Sequence, residues 1–424
     1  MVSSVLATLQ TTVNMFWVGK LGAREIAAVA LAGSVLGVFQ TLAGIISAGT
    51  LATCARFAGA DDRKGIQESL FHSLILALAI SSGLAAVTSP LALPLLKLFG
   101  AETAVVELGR PFLALLLAVM PVFFCSLALG STFQALGDTR TPMWVWLAAN
   151  AVNLVLDPFL ILGWLHAPRL GVFGAALATA ISQFVALAAL ATILYRRGLI
   201  KFNQPVRPRV FGALLAIGAP ASLQAITRPL TGMLMFRIIT SFGSGTVAAF
   251  GVGLRILNTM YIYLTGLGSA CQILVGQNLG AGKPETAAAV AGRVLRVALL
   301  LQAVVLTILF VLAPWAIRIF NTNPDVVRYG VSYLRVLTPF LILLGLSTAW
   351  SGAQYGAGAT KPTMLAAVVA NWLVKLPLAY ILSRMTSLRV TGVWLGIGLS
   401  ILVETAIVGI AFSRGGWREK KVTW

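Results

Sequence analysis

The sequence predicts an all-α polytopic membrane protein whose twelve transmembrane helices form two pseudo-symmetric six-helix bundles. Three observations lead there. Of 424 residues, 58% are apolar and only 10% charged, against about 25% charged in a soluble protein. Apolar runs of about 20 residues, each long enough to cross a ~30 Å hydrocarbon core, recur from end to end. The second half of the chain repeats the first in one ungapped register.

In order, the runs fall at 1–19, 26–55, 66–96, 108–135, 142–164 and 172–195, then at 210–240, 246–276, 287–316, 328–354, 361–383 and 391–413. The proline-bearing polar stretch Arg196–Arg209 separates the sets and reads as a linker. The expected organisation is an N-terminal lobe over 1–200, a cytoplasmic linker over 201–209 and a C-terminal lobe over 210–424. No length remains for a sizeable soluble domain, so function has to reside in the bundle.

The repeat has a separation of 221 residues. It pairs Gly22 with Gly243, Ala27-Ala28 with Ala248-Ala249, Gly59-Ala60 with Gly280-Ala281, Gly137 with Gly358, Thr139 with Thr360 and Asn150 with Asn371. An even number of spans per unit gives both copies the same orientation, so the repeats are parallel about an axis along the membrane normal. In this register the partner of Val210 lies twelve residues before Met1. The first helix is therefore expected to be short by about three turns, with a longer native start as the simple explanation.

The net charge of +19 does not point to nucleic acid, because the basic residues are mostly scattered through short connections beside the headgroups. They concentrate on the even-numbered connections and the C-terminal tail, among them Arg56, Arg63, Lys64, Arg196, Arg197, Lys201, Arg293 and Lys420. The positive-inside rule then places both termini and the linker in the cytoplasm. The expected location is the plasma membrane, the inner membrane if the source is bacterial. No cleavable signal is expected, since Met1 leads almost directly into a span. Cys54, Cys125 and Cys271 lie inside apolar runs without a CxxC or a His pair, which indicates neither a disulfide framework nor a zinc site. No P-loop or HExxH occurs, and the two histidines, His72 and His166, lie near span ends. The protein is expected not to be an enzyme and to need no cofactor.

Charged side chains in mid-membrane cost at least ~2.5–3.5 kcal/mol and mark pathways or cavities. They are Asp157 in span five, Glu404 in span twelve, Arg228 and Arg237 in span seven, Arg255 in span eight and Lys375 in span eleven. Asn153 and Asp157 are four apart on one helical face, with Asn150 a turn behind and Pro158 loosening nearby carbonyls. Such hard oxygen donors suit Na⁺, and the carboxylate can instead take a proton. Thr179 in span six offers a hydroxyl to the same site. The alternative is that Asp157 pairs with an arginine and only holds helices together. Glu404 and Lys375 can pair with each other. Arg228 and Arg255 can line a cavity, bind anionic lipid or substrate groups, or satisfy helix carbonyls, whereas Arg237 can snorkel. Pro121, Pro220 and Pro229 are expected to kink their spans.

Five motifs in chain order give a resemblance covering essentially the whole sequence. They are Val18-Gly19-Lys20-Leu21-Gly22 with Ala27-Ala28, Phe133-Gln134-Ala135-Leu136-Gly137-Asp138-Thr139-Arg140-Thr141-Pro142, Asn153-Leu154-Val155-Leu156-Asp157-Pro158, Gly218-Ala219-Pro220, and Val275-Gly276-Gln277-Asn278-Leu279-Gly280-Ala281-Gly282. On these the chain resembles the multidrug and toxic compound extrusion family of secondary transporters. The resemblance implies two six-helix lobes in a V around a central cleft, exporting amphiphilic, mostly cationic small molecules in exchange for Na⁺ or H⁺ by alternating access. It implies a coupling-ion site at Asn153, Asp157 and Thr179. A first-span carboxylate usually joins them, and here Asn14 stands in its place. Acidic positions of some members' second lobe meet Arg228, Lys375 and only Glu404, so the resemblance assigns no ion site there. Expected partners are small organic molecules and membrane lipids, with the chain a monomer and no nucleic acid. The alternative function is a flippase of the related superfamily, in which Arg228, Arg255 and Lys375 hold the pyrophosphate of a lipid-linked saccharide.

Overall fold

The structure, a computed structural model, describes residues 14–97, 102–166 and 168–420. Among them every regular element is helical. The first six spans appear as α1 (residues 14–19), α2 (Ala23–Thr41) running on into α3 (Gly44–Gly59), α4 (Arg63–Thr88), the short α5 (Ala92–Lys97), α6 (Thr103–Ala118), α7 (Met120–Ala135), α8 (Arg140–Leu162) and α9 (Gly171–Arg196). The second set comprises α10 (Pro208–Thr240), α11 (Ser244–Gly280), α12 (Pro284–Arg318) and α13 (Pro324–Gly356). It continues through α14 (Lys361–Val368), a π-helical stretch over Val369–Lys375, α15 (Leu376–Arg384), α16 (Val390–Ser413) and the short α17 (Gly416–Glu419).

Among the described residues ten helical stretches are long and apolar enough to span a bilayer, and the bent pair α6–α7 makes an eleventh. The twelfth predicted span, 1–19, lies mostly outside the described residues, and so does the expected shortening of its helix. The single run predicted over 108–135 is bent by 46° at Val119. Pro121 sits in the first turn beyond this bend. Its missing N–H costs nothing there, so the break precedes the proline rather than following it. The run predicted over 66–96 likewise breaks after Thr88, where α5 begins as a separate turn. Pro220 and Pro229 lie inside one unbroken helix, α10.

The duplication is visible in the backbone. Gly137 (φ 83°) and Gly358 (φ 76°), 221 residues apart, turn the chain after the fourth span of each half with left-handed conformations. Asp61 (φ 54°) and Gly282 (φ 70°) occupy the same register after the second span, and aspartate is among the residues that tolerate this region.

The chain packs as two compact units, 1–218 and 219–423. The boundary falls inside α10 because Val210 and Leu214 are buried in the first unit's core with Phe112, Leu117, Met120 and Phe124. In that unit α6 and α7 pack on α2, α3, α4 and α9, while α8 and α9 form a hairpin. Gly174 closes this hairpin, since a Cβ there would collide with the Leu160 carbonyl. The second unit is organised on α13, against which α11, α12 and α16 pack. Its centre is aromatic: Trp394 lies 4.8 Å from Tyr333 and 6.0 Å from Phe250, ring centre to ring centre. Along α12, Leu300, Val304, Ile308, Val311 and Trp315 are exposed, a face that lipid solvates and water does not.

The linker is bound to the first unit. Arg63 donates to the Arg197 carbonyl and Gln67 Nε2 to the Gly198 carbonyl at 2.7 Å. Arg207 pairs with Glu68 at 3.0 Å, and its backbone N–H donates to His72 Nε2 at 2.8 Å. His72 is fully buried, and its Nδ1 faces the Glu68 carbonyl at 2.8 Å, so the tautomer protonated on Nδ1 satisfies both contacts.

Candidate functional site

Each unit carries a polar cluster within its spans. In the first, α8 places Asn153 and Asp157 one turn apart on a buried face, 1% and 0% exposed. Asn153 Nδ2 reaches Asp157 Oδ1 at 3.5 Å, the limit of a hydrogen bond, and Asp157 Oδ2 is buried with no partner. Pro158 supplies no N–H to the Leu154 carbonyl, one turn back on this helix. Asn150 uses its amide locally, donating to the Trp146 carbonyl at 2.9 Å. On the neighbouring spans Asn14 Nδ2 donates to Thr179 Oγ1 at 3.3 Å, and the Thr179 hydroxyl donates to the Ala175 carbonyl at 2.9 Å. Asn14 Oδ1 is a second buried oxygen without a partner.

The four predicted residues are thus held as two pairs, Asn153–Asp157 and Asn14–Thr179, each with one free acceptor oxygen. Buried acceptor oxygens left open, one of them on a carboxylate, suit a cation or a proton rather than an anion. None of the three ion pairs among the described residues involves Asp157, so the alternative of a structural arginine partner is not realised.

In the second unit the pairing differs from the expectation. Glu404 on α16 accepts from Arg228 Nη2 of α10 at 2.8 Å, rather than from Lys375. Lys375 ends the π-helical stretch, where its Nζ lies 3.2 Å from Asn371 Oδ1 and 3.4 Å from Thr231 Oγ1. The physical cause is local. Pro377 opens α15 without an N–H, the preceding turns widen, and Asn371 at i−4 is presented to the ammonium. Arg228 also lies over the Tyr261 ring at 5.7 Å. The Tyr355 hydroxyl donates to Gln224 Oε1 one turn before Arg228. Arg255 is not brought to this cluster: it is exposed, with its guanidinium 5.9 Å from the Phe320 ring. Arg237 is exposed in the last turn of α10.

Sequence inspection passed over Gln224, Thr231, Tyr261, Tyr355 and Asn371. Two of them carried a signal, since Gln224 precedes Arg228 and Asn371 precedes Lys375 by four residues, the spacing of helical neighbours.

A third polar group lies outside the spans. Asp138 accepts from the Thr141 N–H at 3.0 Å and from its hydroxyl at 2.7 Å, and pairs with Arg197 at 2.7 Å. Partial burial alone would raise its carboxyl, but these donors outweigh that and hold it below the ordinary aspartate range.

A duplicated helical bundle with ionisable groups inside its spans is the construction of a membrane transporter. A family model described as MatE matches residues 1–159 and 220–381, and the chain belongs to that family. It is 27% identical to a "Probable multidrug resistance protein NorM" of Thermotoga maritima, over 99% of this chain and 91% of the relative. It is 26% identical to a protein named "FAD transporter" of Shewanella oneidensis, over 94% and 88%. Among solved structures, a MATE protein in the bent conformation shares the fold at TM-score 0.92 and 23% identity, over 100% of this chain and 95% of that one. An outward-facing multidrug resistance MATE transporter shares it at TM-score 0.88 and 25% identity, over 100% and 94%.

Proposed function

We propose that the protein is a secondary active antiporter that exports amphiphilic small molecules in exchange for Na⁺ or H⁺ by alternating access, with organic cations the first cargo to test. The observation that carries the reading is Asp157, fully buried, unpaired with any cation and holding one oxygen without a partner. A carboxylate so placed either takes a proton or draws a cation to it, and Asn153 is the nearest ligand to share. Asn14 and Thr179 supply two further oxygens for Na⁺. Cation and cargo then bias the balance between two packings, each by its differential affinity for them, and the coupling between them is reciprocal.

In this reading the two halves, 1–200 and 210–424, are the moving bodies, with the linker 201–209 and both termini on the cytoplasmic side of a plasma or bacterial inner membrane. The chain works as a monomer. A second reading, flipping of a lipid-linked saccharide, draws on the net positive charge of the Arg228, Glu404 and Lys375 group.

Inverted vesicles provide the test, with a fluorescent organic cation and an organic anion of similar size followed under imposed Na⁺ or pH gradients. One gradient is expected to drive uptake at least about tenfold above background, with Asp157→Asn abolishing the stimulation. Movement under neither gradient, or a variant indistinguishable from wild type, overturns the antiport reading.

A further inference from the structure

The second unit's polar cluster holds two cations and one carboxylate. Thr231 joins Lys375 to the Arg228–Glu404 pair: its hydroxyl lies 3.4 Å from Lys375 Nζ and donates to the Arg228 carbonyl at 3.2 Å, so the three form one group. Glu404 is engaged by Arg228 at 2.8 Å. Lys375 meets only neutral oxygens, those of Asn371 and Thr231, and none of the three ion pairs among the described residues includes it. One carboxylate cannot neutralise two cations, and the surplus charge sits at the end of a π-helical stretch inside a span, where water is scarce.

The cluster is also reachable. Thr231 beneath it is fully buried, whereas Lys375, Arg228, Tyr261 and Tyr355 are half-buried. Lys375 keeps at least one N–H beyond its two long contacts, and Arg228 keeps donors beyond the one given to Glu404. Donors from α10 and from the π-helical stretch that share an excess positive charge are what an anionic oxygen group requires. A neutral acceptor would leave the charge uncompensated, and a cation would add to it.

We propose that this cluster binds an anionic oxygen group, a carboxylate or a phosphate, with Lys375 as its charge partner and Arg228 as a second donor. Resting on the transport reading, this narrows the cargo from simple cations to amphiphiles that carry an acid.

The purified full chain in detergent can be tested by equilibrium dialysis with four naphthalene probes of one body and different heads: 1-naphthaleneacetate, 1-naphthyl phosphate, 1-naphthaleneethanol and 1-naphthylmethylamine. The two acids are expected to bind about tenfold or more tighter than the alcohol and the amine. Lys375→Gln is expected to erase that difference and Lys375→Arg to retain it. Equal affinities for the four probes in wild type overturn the inference, as does a preference that survives in a folded Lys375→Gln protein. Should that variant fail to fold, the wild-type ranking decides alone.

Nanodiscs of phosphatidylcholine with and without phosphatidylglycerol separate the sources of the acid. Weakened probe binding beside phosphatidylglycerol makes a lipid headgroup the occupant, and unchanged binding leaves a water-borne acid. Dialysis needs no gradient, so a failed gradient assay with an intact ranking sinks antiport alone. A flat ranking with working transport sinks this inference alone.

Discussion

The polar clusters of the two units sit on corresponding helices, the first, fifth and sixth of each repeat, yet carry opposite charge. The first holds Asp157 with Asn153 and the neutral pair Asn14–Thr179; the second holds Arg228, Lys375 and Glu404. In the 221-residue register Asp157 corresponds to Leu378, Asn153 to Val374, Lys375 to Leu154, Arg228 to Ala7 and Glu404 to Gln183. No charge has a charged counterpart. Small residues and turn positions such as Gly137 and Gly358 kept the frame, because close helix packing and left-handed turns admit few substitutes. The interior of that frame was free to change, since a buried polar group needs only local partners.

The largest way to break the comparison is Glu404→Gln. It leaves Arg228 without its counter-charge and should destabilise the second unit by about 2–3 kcal/mol, below the cost of splitting a fully buried pair because Arg228 is half exposed. Thermal unfolding in detergent reads this, and an unchanged midpoint would show the pair to be dispensable. Asn14→Asp sharpens the contrast by adding a second carboxylate to the first unit. The half-saturating concentration of the coupling cation should fall on the order of tenfold in vesicle transport, and an unchanged value would place Asn14 outside the ion's reach.

A smaller effect is expected from Thr179→Val, which removes the hydroxyl that accepts from Asn14. A loss of about 0.5–1 kcal/mol in cation binding, some two- to fivefold, matches a single long neutral hydrogen bond. Smallest is Asp138, whose repeat counterpart is Ala359. Its folded carboxyl is held below the unfolded value, so its stabilisation is complete above about pH 4 and lost as pH falls through the lowered value. The difference in unfolding midpoint between wild type and Asp138→Asn should shrink over that range, and a gap that persists in acid refutes the assignment.

What the sequence made legible follows from distance along the chain. Ten spans lie within a few residues of their predicted limits, while the run predicted over 66–96 ends at Thr88, and Asn153 with Asp157 could be placed on one face because a helix repeats every 3.6 residues. The Arg228–Glu404 pair joins residues 176 apart, and no local period reports such a meeting. The 46° bend at Val119 was legible only as the nearby Pro121, since a proline marks a weak point without saying on which side the helix gives way. The π-helical stretch was not legible, as it combines the missing donor of Pro377 with the packing around Asn371 and Lys375.

The bound linker has a practical consequence. Gly198 is fastened at one end and Arg207 at the other, while Lys201, Phe202 and Asn203 between them stand open to solvent. A protease that cuts after Lys201 therefore releases neither end, and the nicked chain should migrate as one particle until denatured. The same three residues are the place to insert an epitope tag or a fluorophore without disturbing either cluster.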